Sequence, residues 1–306
     1  MPIIMGAGVG YSPLLYRPRA QWEAVFRFLR KDAIQPKRAG SEDAAVLDGY
    51  ETRISQGFAA LRQAIAGAGL DALILVTADR GSQFDSSHVP QIHVQAGGEV
   101  WGDPAITALG EPSQPLTFAC DETVGDILAE ELVRDGFDIA EARRAFKPVG
   151  RSGQGATPAL VEAAARLAGD LPIIPVSINC HVAPVMTGAR IHRLGQALAR
   201  AAALTDKRLG LLVSGGLSGD PQGDMAGWVD DVFDKWVLTR LARGRSADLV
   251  RVWDVPSRNL LAGTTEVRLW TAAAAALDQA GCHARVHDYM PIHHAAAGVA
   301  FVTWEN

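Results

Sequence analysis

The sequence predicts an α/β protein, with a central mixed or parallel sheet covered by helices on both faces. Three observations carry that prediction. Apolar runs rich in Val, Ile and Leu recur at strand length, as strands buried on both faces do. Stretches with helical periodicity separate them, which is the alternation of an α/β layer architecture. Finally, 306 residues of which 48% are hydrophobic are enough to bury a large core.

The elements follow in order. An N-terminal strand ends near Gly10. Tyr50–Ala68 reads as a helix stopped by Gly67 and Gly69, and it leads into the strand Asp71–Ala78. Residues Asp85–Pro115 hold several Gly and Pro with His88, His93 and Trp101, and read as a strand with long loops. Asp121–Phe146 looks like an amphipathic helical insertion. Thr157 before Pro158 is expected to cap the helix Thr157–Leu167, with proline in the first helical position. The strand Leu171–Cys180 comes next, then the alanine-rich helix His192–Leu204 and the strand Leu209–Ser214. Val267–Ala280 is the last helix, followed by strands at His283–Tyr289 and Val299–Trp304. No repeat or low-complexity linker interrupts this order, so one domain over residues 1–306 is expected.

Composition narrows the function. A formal net charge of -5 lacks the basic footprint of a nucleic-acid binder. No run approaches the ~18 apolar residues of a membrane span, and Met1–Gly10 has no basic signal-peptide start, so a cytoplasmic protein is expected. Cys120, Cys180 and Cys282 are scattered without CxxC spacing and are read as buried thiols. The glycine-rich Gly215–Gly219 matches neither a Walker loop nor GxGxxG, which argues against a nucleotide site.

Ligands of open α/β sheets collect at the carboxyl ends of the strands. Those positions hold Tyr11-Ser12-Pro13, Asp79-Arg80-Gly81, His181-Val182-Ala183 and Gly215-Gly216-Leu217-Ser218-Gly219-Asp220. Asp79 and Asp220 also follow strands, and as carboxylates at such turns they are read as helix caps. The adjacent His293 and His294 would point to opposite faces of a strand and so make no metal site. Trp228, Trp236, Trp253 and Trp270 are assigned to the core or to a subunit interface.

Four segments in this order resemble the beta-subunit family of protocatechuate 4,5-dioxygenase, the class III extradiol dioxygenases. They are Gly10-Tyr11-Ser12-Pro13-Leu14-Leu15, Asp79-Arg80-Gly81-Ser82-Gln83-Phe84, Gly215-Gly216-Leu217-Ser218-Gly219 with Phe233-Asp234-Lys235-Trp236, and Gly263-Thr264-Thr265-Glu266-Val267-Arg268-Leu269-Trp270. The resemblance spans about Gly6 to Trp270. It implies an Fe(II) site of two histidines and one glutamate, with an acid/base histidine after Gly-Gly-Leu-Ser. At those positions this sequence carries Tyr11, Arg80, Glu266 and Gly219, and it has no histidine before His88.

From these departures we expect Tyr11, Arg80, Gly219 and Glu266 to converge on one cavity, with Ser218 beside them. An arginine there would repel Fe(II) and pair with Glu266, so the leading expectation is a metal-independent enzyme with no cofactor. Its substrate would be an aromatic or ring-derived acid held by Arg80, with Tyr11, its phenolate favoured by the cation, and His181 moving protons. Two alternatives stand beside it. One is a non-catalytic subunit paired with a histidine-complete paralogue, as against a homo-oligomer. The other is a dioxygenase whose Fe(II) is held by Glu266 with rearranged histidines such as His88 or His181.

Overall fold

The computed structural model describes residues 3–30, 33–84, 87–143, 155–219, 225–254 and 263–306. Its strands are β1 (Ile3–Val9), β2 (Ala72–Thr77), β3 (Ile92–Gln95), β4 (Glu99–Gly102), β5 (Leu116–Ala119), β6 (Ala140–Ala142), β7 (Ile173–Ile178), β8 (Leu209–Ser214), β9 (His283–Ile292) and β10 (Ala297–Glu305). Eight of them form one sheet in the order β6-β3-β7-β2-β8-β1-β10-β9, and β4 and β5 pair separately. The sheet is mixed. Neighbours β7, β2, β8 and β1 are parallel, whereas β3 runs antiparallel to β7 and β10 antiparallel to β1.

Every residue of β2, β7 and β8 is buried, as their unbroken apolar runs require of strands covered on both faces. One face packs under α4 (Glu122–Arg134), α6 (Gly188–Ala202), α7 (Asp231–Ala242) and α8 (Val267–Ala280). The other lies under α1 (Trp22–Leu29), α3 (Ala44–Gly67) and α5 (Pro158–Leu167). A short α2 (Pro36–Ala39) joins α1 to α3. Among the described residues no helix is long and apolar enough to cross a membrane.

Several boundaries differ from expectation for local reasons. The helix α3 starts earlier than Tyr50, because the Asp43 carboxylate accepts the Val46 N–H and fixes the first turn. The stretch after Asp121 splits into α4 and the edge strand β6, and its end at Phe146 lies outside the described residues, as does Asp220. His293 and His294 sit in the turn between β9 and β10 rather than on a strand, and their backbone N–H groups both donate to Glu42. Thr157 stands at the N-cap of α5 and Pro158 opens the helix as expected, but the threonine hydroxyl makes no capping bond.

Candidate functional site

The four parallel strands bring their carboxyl ends to one edge of the sheet, and the candidate residues leave from there. After β2 the Asp79 carboxylate accepts the N–H groups of Gly81, Gln83 and Phe84, tying a tight turn that holds Arg80 outward over the sheet end. Asp79 therefore ties a turn and does not cap a helix, the role the sequence reading gave it, because β2 leads to β3 with no helix between them among the described residues. After β1, Tyr11 is fixed by its N–H to the Gly216 carbonyl, 2.9 Å away.

Arg80 and Glu266 form a forked ion pair. Arg80 Nε lies 2.6 Å from Glu266 Oε1, and Nη2 contacts Oε2. Glu266 is 1% exposed and also accepts the Gly216 N–H at 2.7 Å. His181 Nε2 lies 2.8 Å from Oε1. Burial alone would raise the Glu266 carboxyl, but Arg80 and the His181 ring together outweigh it and hold the group well below the usual carboxylate range.

Tyr11 presents its ring face to the Arg80 guanidinium, 4.8 Å from the centroid. Its hydroxyl points elsewhere and donates to Glu162 Oε2 at 2.7 Å. Glu162, on α5, pairs with Arg17, and Arg17 holds Glu111 at 2.8 Å and the Pro104 carbonyl at 2.9 Å. The expected phenolate is corrected here. Burial pushes the Tyr11 hydroxyl upward by more than Arg80 lowers it, so it stays protonated.

The Gly-Gly-Leu-Ser-Gly turn after β8 is clamped from α7. Asp234 accepts the Ser218 N–H at 3.0 Å and the Ser218 hydroxyl at 2.6 Å, and the Tyr289 hydroxyl reaches it at 2.8 Å. The Ser218 hydroxyl is thus committed to α7 and fixes the turn. Gly219 has φ +103°, and a Cβ there would stand 2.1 Å from the Ala296 carbonyl oxygen. No side chain fits at that position without moving the β9–β10 turn.

Two cavities meet at Arg80 and Tyr11, with volumes of about 280 and 320 Å³. Tyr11, Pro13, Phe28, Leu29 and Arg80 line both. Gly219 and the β9–β10 turn close the first, and the second continues to Ser82, Ile106 and Thr157. Tyr11, Arg80 and Gly219 therefore share one cleft, with Glu266 and His181 behind Arg80. His88 is exposed, with its ring 6.1 Å from that of Phe84. His93 is 3% exposed, packs against the same Phe84, and neither of its ring nitrogens has a hydrogen-bond partner among the described residues. Arg17 and Glu162 were not read as site residues. The available signal was Glu162 itself, a charge inside the apolar helical run Pro158–Leu167.

A mixed α/β sheet with a polar cleft at the carboxyl ends of its parallel strands defines an open-sheet enzyme scaffold. The chain belongs to the LigB family, described as the catalytic LigB subunit of aromatic ring-opening dioxygenase, which it matches over residues 36–300. Among its relatives are two proteins named 2,3-dihydroxyphenylpropionate/2,3-dihydroxicinnamic acid 1,2-dioxygenase. The one from Photorhabdus laumondii is 30% identical, covering 43% of this chain and 56% of that protein. The one from Rhodococcus jostii is 28% identical, covering 55% and 49%. The chain thus spans about half the length of these curated relatives. The crystal structure of the Escherichia coli K12 protein JW3007 matches over 98% of this chain and 99% of its own, with TM-score 0.52 and 14% identity, and so shares the fold.

These comparisons correct one expectation. A protein with no cofactor does not accord with a family of ring-opening dioxygenases, whose chemistry implies Fe(II). The side chains as arranged do not fit that ion, however. Among the described residues no group of three or more His, Cys, Asp or Glu is placed to hold a metal, and Arg80 engages both Glu266 oxygens.

Proposed function

We propose that the protein acts on an aromatic dihydroxy acid in the cleft over Tyr11 and Arg80, as an extradiol-type ring-opening dioxygenase with a rearranged Fe(II) centre. The observation that carries this reading is the family match over residues 36–300, which includes β2, β7, β8 and Glu266. Behind Arg80, Glu266 and His181 are metal-type donors standing side by side, 2.8 Å apart. A divalent ion and the Arg80 guanidinium compete for the same carboxylate, so metal binding requires Arg80 to turn away. Arg80 then offers a planar pair of donors to a phenolate oxygen of the ligand. Phe28, Leu29 and Pro13 give the ring an apolar wall.

The forked Arg80–Glu266 pair favours a second reading, a subunit that binds the aromatic acid without opening it. Anaerobic reconstitution with Fe(II), followed by iron content and dioxygen uptake with 2,3-dihydroxyphenylpropionate, separates the two. The first reading expects about one iron per chain and uptake that Glu266→Ala abolishes. A chain that takes up neither iron nor dioxygen, yet binds the compound, overturns it in favour of the second.

A further inference from the structure

The amino end of α5 opens into the larger cavity, because Thr157 and Pro158 line it together with Arg80 and Ser82. The first helical residue, Pro158, has no N–H. Leu160 N and Val161 N fold back onto the Thr157 carbonyl at 2.9 and 3.1 Å, which leaves the Ala159 N–H without an intrahelical acceptor. Thr157 is 1% exposed, and its hydroxyl is buried with no hydrogen-bond partner among the described residues. A buried hydroxyl left unpaired costs free energy unless a ligand or water answers it.

Three features of this corner favour an anion. The ten-residue helix α5 directs the positive end of its dipole into the cavity. The Arg80 guanidinium lines the same space. The nearby Glu162 does not oppose an incoming anion as a bare charge would, because Arg17 and the Tyr11 hydroxyl already engage it. The rest of the wall, Phe28, Leu29 and Ile106 among it, is apolar and suits a ring.

We infer that this corner is the carboxylate subsite of the cleft: the acid group of an arylalkanoic acid accepts from the Thr157 hydroxyl and the Ala159 N–H while its ring lies against Phe28 and Leu29. The inference deepens the reading under Proposed function and rests on it for the dihydroxy ring, but not for the acid group.

Its test is calorimetric titration of the full chain with 3-phenylpropionate and with the corresponding amide, which keeps the ring and removes the charge. The acid should bind at least roughly 10-fold more tightly than the amide. Thr157→Val should weaken the acid by roughly 10- to 100-fold, the loss expected for one hydrogen bond to a charged group, and the amide, whose carbonyl oxygen accepts only a neutral hydrogen bond, by clearly less. Thr157→Ser, which keeps the hydroxyl, should restore the acid affinity. Equal binding of acid and amide, no binding of the acid, or indifference to Thr157→Val would overturn the subsite, as would a Ser variant as weak as the Val one. Thr157-dependent binding of the acid without ring opening of its dihydroxy counterpart supports the subsite and overturns the dioxygenase reading alone.

Discussion

Tyr11 and Arg80 occupy the cleft together, but the geometry divides their work. The Tyr11 ring faces the guanidinium, and its hydroxyl belongs to the Glu162–Arg17 network. Tyr11→Phe should therefore cost stability, about 1–3 kcal/mol for a buried hydrogen bond to a carboxylate, while the shape of the cleft persists. Urea unfolding measures it; a variant of unchanged stability with collapsed turnover would return Tyr11 to the role of proton donor. Arg80→Ala is the harsher change, because it leaves the buried Glu266 without its cation at a cost of about 3–5 kcal/mol. A loss under 1 kcal/mol would show that the pair does not hold the site together. Arg80 and Glu266 were legible in the sequence because Arg80 follows the end of the apolar strand β2 and Glu266 stands directly before the helix α8. The partner of the Tyr11 hydroxyl was not, since Glu162 lies 151 residues away and only the packing of α5 brings it near.

At the scale of elements, the sequence was most readable where burial leaves least choice. The strands β2, β7 and β8 stand within a few residues of their expected bounds, since a continuous apolar run between helical stretches admits little else. The eight-residue α1 and the four-residue strands β3, β4 and β5 are too short for periodicity to show, and Gly and Pro break up their surroundings. Thr157 followed the capping rule in sequence but departs from it in space, because its hydroxyl is buried beside the cleft. The turn after β8 was recognised from its residues, whereas its rigidity comes from α7 and from the β9–β10 turn pressed against Gly219. Restoring the family's histidine there should accordingly fail. Gly219→His places a side chain at φ +103° with its Cβ 2.1 Å from the Ala296 carbonyl oxygen, and a loss above about 3 kcal/mol is expected. A Gly219→His protein melting at the original temperature would mean that the turn yields more readily than its packing suggests.

For the whole molecule, acid stability is a balance of buried groups with opposite signs. Burial pushes the His93 imidazole down from 6.5 to about 4, so the folded state refuses a proton that the unfolded chain accepts. Its contribution is present above pH 6.5 and is lost as pH falls toward 4, on the order of 3 kcal/mol. Burial pushes the Asp234 carboxyl up from 3.8 to about 7 against its Ser218 and Tyr289 donors, so the folded state keeps a proton that the unfolded chain releases. That contribution is full below pH 3.8 and disappears as pH rises through 7, on the order of 4 kcal/mol. Between pH 4 and 7 the two largely offset each other. Below pH 4.5 the depressed Glu266 adds a further loss as it is forced to take a proton. Unfolding free energies measured from pH 4 to 7 for single variants against the unmodified protein isolate the two groups. His93→Met should gain stability relative to it as pH falls across that window, and Asp234→Asn should lose stability relative to it over the same range. If both variants instead run parallel to the unmodified protein from pH 4 to 7, neither buried group titrates as its surroundings imply, and the acid response must come from the surface carboxylates.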